Sequence, residues 1–251
     1  MKTRKLIALS AFVGLSSLSL VGAAQQDEAV EVLTSYKQVL AGREGIDAAI
    51  LERISGLIAE ETTDPGALTD TLRELHPDFA KALEAATETG NDEGIKQLQK
   101  LTESDSPYLA AESAYYLGRT LMSRQRMEDA LPVFINLQDD HFDYSLRIGE
   151  AIYYQGICEA NTLQRDAASI SLNDFIDLYP DAPERLLAEA KDLISTIENV
   201  LDGSIEDVAD HMDFSTNKLE LVDAGEQTQE IQDDIIAMLD ELIKQAEDSP
   251  P

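Results

Sequence analysis

Apolar residues recur every three or four positions along most of this chain. That spacing is typical of helices that bury one side, whereas the alternation of Val, Ile and Thr that marks strands is scarce. The pattern predicts a first series of helices over residues 27–41, 46–60, 67–75, 78–87 and 95–101. Gly42, Asp64-Pro65 and His76-Pro77 separate these helices, because glycine and proline disfavour helix interiors. The chain is therefore predicted to be all-α.

Two copies of one pattern, 38 residues apart, occupy residues 106–183. Each copy predicts a helix–turn–helix unit that leaves an apolar face uncovered on its own. In the first copy the key positions are Leu117-Gly118, Leu121, Ala130, Phe134 and Leu137. In the second copy Gly156, Ala168, Leu172 and Phe175 align with Gly118, Ala130, Phe134 and Leu137. The small residues allow the two helices of a unit to approach closely, and the large ones fill the seam between them.

These positions resemble the tetratricopeptide repeat family, which has a Leu-Gly pair in its first helix and a small residue followed by an aromatic residue in its second. The second copy departs from the pattern at Gln155 and Glu159, and the period is longer than the usual length of about 34 residues. The extra residues fall near Asp139-Asp140-His141. The phrase from Phe175 to Glu184 is similar to exported envelope proteins of this family, such as the Tol-Pal-associated cell-division coordinators. The resemblance implies a short right-handed α-solenoid with flanking N- and C-terminal helices.

In that family the first helices of successive repeats line a concave groove. The resemblance implies a partner-binding groove made of Glu112, Tyr115, Arg119 and Met122 from the first copy and Glu150, Tyr153, Ile157 and Asn161 from the second. Tyrosine and arginine are common anchors of interfaces. A shift of the alignment by one position is the alternative. It would place Tyr115 and Tyr153 in the core and leave Tyr116 and Tyr154 facing outward.

The segment after the repeats is predicted to form a covering helix over residues 185–201 and two further helices. Ser204-x-x-Asp207 resembles a capping box at a helix start. In the last helix a seam of apolar residues has the spacing of a coiled coil, at Ile231, Ile235, Met238 and Leu242. The seam has two interpretations. It packs on its own domain, or it serves as an oligomerisation or partner-docking surface.

The first 24 residues have the pattern of a signal peptide, with Lys2, Arg4 and Lys5 before an apolar run and small residues before Gln25. The alternative is an uncleaved membrane anchor. The predicted organisation is a signal peptide (1–24), an N-terminal helical region (25–105), a repeat region (106–202) and C-terminal acidic amphipathic helices (203–251). The protein is therefore expected to be periplasmic or secreted by a bacterium.

The 251-residue chain has a formal net charge of −30 at pH 7. Such a charge repels nucleic acid and anionic lipid, which excludes both as expected partners, and it leaves a basic protein or loosely held divalent cations. The single cysteine, Cys158, is expected to be a buried apolar residue. The acidic clusters near His141 and His211 lack the spacing of calcium or zinc sites. No catalytic, cofactor-binding or metal residues are predicted.

These observations favour a non-enzymatic, exported scaffold that binds a protein partner in the bacterial envelope. A self-assembling structural subunit, joined through the C-terminal seam, is a second hypothesis. An acidic protein that buffers cations is a third. We carry the three hypotheses to the structure.

Overall fold

The computed structural model describes residues 17–61, 64–88 and 92–248, with side chains from Glu28 onward. Within these ranges the chain forms twelve α-helices, one 3₁₀ turn (Phe142–Tyr144) and no β-strand. The helices are α1 (Ser17–Ala41), α2 (Ala48–Ala59), α3 (Gly66–Leu75), α4 (Pro77–Thr87), α5 (Glu93–Leu101), α6 (Pro107–Ser123), α7 (Met127–His141), α8 (Ile148–Asn161), α9 (Arg165–Leu178), α10 (Glu184–Asn199), α11 (Ile205–Glu220) and α12 (Glu226–Asp248). The prediction of an all-α helical-repeat fold is confirmed.

The starts of the helices reflect local chemistry. The Ser204 hydroxyl accepts a hydrogen bond from the Asp207 N–H at 3.2 Å, as its capping pattern predicts. Pro77 and Pro107 occupy the first positions of α4 and α6, where the missing N–H has no cost. Ser106 precedes α6, but its hydroxyl makes no capping bond. The helix α1 begins earlier than predicted, so residues 17–24 of the predicted signal peptide are helical, whereas residues 1–16 lie outside the described chain.

The two copies of the repeat form equivalent hairpins, α6–α7 and α8–α9. The turn of each hairpin contains one residue in the left-handed region, Gln125 at φ 60° and Leu163 at φ 61°, which are one period apart. The residue after each accepts the same role, since the N–H groups of Arg126 and Gln164 donate to carbonyl groups five residues earlier, at 3.0 and 2.9 Å. The longer period is accommodated in the connection between the hairpins, which contains the 3₁₀ turn.

The seam inside each hairpin needs a glycine. A Cβ atom added to Gly118 would lie 2.6 Å from the ring of Phe134, and one added to Gly156 would lie 2.7 Å from the side chain of Leu172. Both distances are far below normal carbon–carbon contacts. The equivalence of the two copies, inferred from the sequence, therefore holds in three dimensions.

The helices from α4 to α10 pack consecutively. We call α6, α8 and α10 the A helices and α7 and α9 the B helices. One buried apolar cluster extends from Val32 in α1 to Cys158 in α8, so the N-terminal helices share a core with the first repeat. A second cluster joins α8, α9 and α10 through residues such as Phe175 and Leu186.

Two segments flank the stack on opposite edges. On the edge with the connections that enter the A helices, α1 packs through Tyr36, whose ring lies 4.6 Å from that of Tyr108. On the edge with the hairpin turns lies a second hairpin, formed by α11 and α12. There the ammonium group of Lys218 is 2.6 Å from the carboxylate of Glu128 in α7. A long helix and a hairpin thus clamp the repeats from both sides.

Candidate functional site

The structure divides the eight predicted groove residues into buried and accessible groups. The side chains of Glu112, Tyr115 and Tyr153 are buried. Those of Arg119 and Asn161 are exposed, and those of Met122, Glu150 and Ile157 are partly exposed. Tyr116 and Tyr154 are the more exposed members of their pairs, as the shifted alignment predicted. The eight residues therefore do not form one continuous accessible surface.

The buried members belong to a polar network centred on Arg147, at the start of α8. Its Nε atom donates to Glu112 at 2.9 Å, and its two terminal nitrogens donate to Glu150 at 3.2 Å and to the Thr69 hydroxyl at 2.8 Å. The Thr69 hydroxyl in turn donates to Glu112. The guanidinium carbon of Arg147 also lies 4.3 Å from the centre of the Tyr115 ring. One arginine thus joins α3, α6 and α8.

Glu112 is fully buried, and its Oε2 atom has no hydrogen-bond partner among the described residues. Burial raises the pKa of the Glu112 carboxyl and outweighs the opposing effect of Arg147 and Thr69. Burial acts to lower the pKa of Arg147, but Glu112 and the neighbouring tyrosines raise it overall. The pair therefore keeps the arginine charged and makes ionisation of the carboxyl costly.

The two predicted tyrosines connect successive A helices. The Tyr115 hydroxyl in α6 donates to Glu150 in α8, and the Tyr153 hydroxyl in α8 donates to Glu189 in α10 at 2.7 Å. The two bonds are equivalent in the two repeats. Burial, followed in importance by Glu150, raises the pKa of Tyr115, so this hydroxyl remains a donor. These tyrosines position helices in the structure.

Arg119 is the exposed member of the network. It donates to the Tyr115 hydroxyl at 2.8 Å, and its guanidinium carbon lies 4.6 Å from the centre of the Tyr154 ring. Stacking of this kind holds an arginine flat against the surface. Its charge is thus placed on the A-helix surface at the junction of α6 and α8.

Beside this network lies a cleft of about 610 Å³, which we call the acidic cleft. It lies between the start of α1, the connection from α2 to α3, and the starts of α8 and α10. Every charged residue that lines it is acidic: Glu28, Glu61, Asp64, Glu150 and Asp181. Apolar residues line the rest, including Val32, Ile148, Phe175 and Leu186. The cleft thus combines negative charge with an apolar surface.

The carboxylates of the acidic cleft affect one another. Burial raises the pKa of Glu28, with smaller contributions from Asp143 and Glu31. Burial and then Glu28 raise the pKa of Tyr179, whose side chain also lines the cleft. A positively charged group in the cleft would relieve these repulsions. The arrangement therefore suits a cation attached to an apolar group.

Three carboxylates of the cleft, those of Glu28, Glu61 and Asp181, form no ion pair with any lysine or arginine in the described part of the chain. Glu150 differs, because Arg147 and Tyr115 both bond to it. The three unpaired groups are thus the part of the cleft available to a cation.

The acidic clusters near the histidines have structural partners. Asp207 accepts hydrogen bonds from Arg165 at 2.6 Å and from the Gly203 N–H at 2.8 Å, and the His211 ring nitrogen lies 3.2 Å from it. This cluster ties α11 to α9. Across residues 17–61, 64–88 and 92–248, no group of three or more His, Cys, Asp or Glu side chains has the arrangement of a metal site.

Cys158 is buried, as the sequence predicts. Burial raises the pKa of its thiol to about 12, with a smaller contribution from Glu159. It is therefore a thiol with very little nucleophilic thiolate at neutral pH.

Comparison with family models, with curated proteins and with solved structures gives no match to this chain. None of the helices in the described residues is both long enough and apolar enough to cross a membrane.

Reasoning from the sequence missed most of the acidic cleft. Of the eight predicted residues, only Glu150 lines it. The other walls come from α1 and from the connection between α9 and α10, which the family resemblance does not include in a groove. The signal that could have pointed to them is the run of acidic residues at the helix ends.

Proposed function

We propose that this chain is a non-enzymatic interaction scaffold, exported to the bacterial envelope, that binds a positively charged segment of a protein partner in its acidic cleft. The observation that carries the proposal is the cleft, with its unpaired carboxylates beside an apolar surface. Export rests on the pattern of residues 1–24, and the envelope role rests on the resemblance of the repeats to tetratricopeptide proteins.

The chemistry of the cleft favours a lysine or arginine side chain followed by an apolar one. The aliphatic part of such a side chain can pack on Val32 and Leu186 while its charge approaches Glu28 or Asp181. Charge-assisted hydrogen bonds to carboxylates are about twice as strong as neutral ones. An extended segment of a partner would supply both kinds of group at successive positions.

Construction on a repeat scaffold supports this role. The bonds from Tyr115 and Tyr153 fix the spacing of the A helices, and Arg147 fixes the start of α8 at the edge of the cleft. A site held by buried contacts loses little conformational entropy when a partner binds. The scaffold thus presents its carboxylates in a fixed arrangement.

The test is a charge-neutralised cleft with the variant Glu28→Gln, Glu61→Gln and Asp181→Asn. The matched control removes three exposed carboxylates outside the cleft: Asp174→Asn, Asp192→Asn and Glu198→Gln. Each purified protein is crosslinked in cell envelopes, and the recovered partner is then titrated against all three proteins at low and high salt.

We expect the cleft variant to bind the partner at least about tenfold more weakly, a loss of about 1.4 kcal/mol, while the control binds as the unmodified chain does. Binding should also weaken as salt rises, because the cleft attracts its partner through charge. Equal weakening in the cleft variant and the control would show that the total charge, and not the cleft, attracts the partner, and it would refute the proposal.

A further inference from the structure

The hairpin of α11 and α12 has a second surface, which we call the outer face. It consists of five apolar residues that are between 42% and 60% exposed: Ile205, Met212, Leu219, Ile236 and Ile243. Their spacing is seven residues within each helix. A seven-residue spacing keeps side chains on one side of a helix, so each helix carries a continuous apolar stripe.

The two stripes lie on the same side of the hairpin, away from the repeats. Lys218 in α11 and Gln227 in α12 both donate to Glu128 in α7, at 2.6 and 3.1 Å, so their side of the hairpin faces the repeats. At about 100° per residue, Ile236 lies about half a turn from Gln227, on the opposite side of α12. The exposure of all five residues agrees with this placement.

The stripes also match along the length of the hairpin. Met212 and Ile236 are equally distant in sequence from Ala224 in the turn, and so are Ile205 and Ile243. In two antiparallel helices, residues equally distant from the turn lie at the same level. The outer face is therefore a two-helix apolar surface.

Acidic residues border the outer face on both helices, and we call them the acidic rims. On α11 they are Glu206, Asp213 and Glu220, and on α12 they are Asp233, Asp240 and Glu247. All six are exposed, and within the described chain none has a lysine or arginine partner. Each rim repeats every seven residues, like the stripe that it borders.

We propose that the outer face docks a basic amphipathic helix of another protein, which packs as a third helix against α11 and α12. Its apolar side would cover Met212 and Ile236, and lysine or arginine residues flanking that side would reach the acidic rims. In helical assemblies, apolar seam residues supply the affinity and flanking charges select the partner. The charge of the rims is what specifies a basic partner.

A second copy of this chain fits the outer face poorly. Its own acidic rims would lie against those of the first copy, and like charges in juxtaposition disfavour association. The seam predicted from the sequence is also committed elsewhere, since Ile235 is buried and α12 packs along α11. The outer face lies on another side of α12, at Ile236 and Ile243.

The test uses two synthetic amphipathic helices of about three heptads, with leucine and isoleucine in the seam. One peptide carries lysine at the flanking positions and the other carries glutamate. Binding to the full chain is measured by fluorescence anisotropy. The face variant is Ile236→Ser with Ile243→Ser, and its control is Ile170→Ser with Leu201→Ser, two apolar residues that are also exposed but lie elsewhere. Circular dichroism checks that all variants remain folded.

We expect the lysine peptide to bind and the glutamate peptide not to bind. The face variant should lose at least about tenfold in affinity, and the control should lose none. The charge-reversed variant Asp213→Lys with Asp240→Lys should reverse the preference between the two peptides. Neutralising the acidic cleft should leave peptide binding unchanged, which separates this proposal from the proposed function.

Three results would overturn the inference. The first is equal binding of both peptides, which would indicate nonspecific apolar attraction. The second is no binding of the lysine peptide. The third is a dimer in light scattering that the face variant abolishes, which would identify a second copy of this chain as the occupant.

Discussion

A single methyl group added at Gly118 tests how closely α6 and α7 are packed. In Gly118→Ala the new carbon would lie 2.6 Å from the Cζ atom and 2.8 Å from the Cε1 atom of Phe134. Normal contacts between carbon atoms are about 3.5–4.0 Å, so the ring must move by about 1 Å. The ring is fully buried and stacks on Tyr154 with 5.6 Å between centres, which leaves no space for that movement.

Two opposing effects determine the magnitude. Overpacking a buried site costs about 1–3 kcal/mol, whereas alanine is favoured over glycine in a helix by about 1 kcal/mol. Gly56→Ala in α2 provides the matched control, because a Cβ atom there would meet nothing within 4 Å. The helix-propensity gain is common to both variants and cancels in their difference. The difference in the free energy of unfolding should therefore equal the overpacking cost, about 1–3 kcal/mol.

The assay is thermal and urea unfolding followed by circular dichroism. Since 1 kcal/mol corresponds to about 2–4 °C in a protein of this size, Gly118→Ala should melt at least about 2 °C below Gly56→Ala. Combining Gly118→Ala with Phe134→Leu should recover part of the loss relative to Phe134→Leu alone. Equal melting temperatures for the two alanine variants would refute the close packing on which the repeat assignment rests.

Three further predictions concern buried ionisable groups. Arg147→Met removes the partner of Glu112 and should cost about 3–5 kcal/mol at pH 7 in urea unfolding. Because burial raises the pKa of Glu112, its stabilising contribution is greatest at low pH and is lost as pH rises through the raised value, so the deficit should be smaller at pH 5 than at pH 8. An equal deficit at both would contradict the raised pKa. Cys158, whose pKa is raised to about 12, should react with iodoacetamide only after unfolding, which mass spectrometry can measure, and rapid labelling of the native chain would count against its burial. Burial lowers the pKa of His76 and His141, so the unfolded chain takes up protons first and stability should fall as pH drops below about 6.5. The double variant His76→Gln with His141→Gln should show a shallower pH dependence, and an unchanged slope would exclude these two groups as its source.

The features predictable from the sequence are those determined over short distances along the chain. Gly118 and Phe134 are 16 residues apart, and their contact follows from helix periodicity together with one turn. The capping bond of Ser204 and the burial of Cys158 follow in the same way. Each of these is a consequence of local pattern, which explains why the repeat period carried over to the structure.

The functional residues depend on contacts between distant parts of the chain. Arg147 bonds to Thr69, 78 residues away, and no spacing in the sequence connects the two. That network buries Glu112 and Tyr115, which the family resemblance implied to be accessible. In the same way, the acidic cleft needs Glu28 and Asp181 to be brought together by α1. Such sites become visible only when the packing of the helices is known.

The attachment of the last hairpin has a consequence for how the molecule opens. The helix α12 buries only Thr228 and Ile235, and the bond from Lys218 to Glu128 joins residues 90 apart in sequence. Closing a segment of that length costs about 4 kcal/mol in chain entropy, for the return of few buried groups. The hairpin should therefore detach while the repeats remain folded. In native-state hydrogen exchange its amide protons should be replaced well before those of α6 and α8, as a separate cooperative unit.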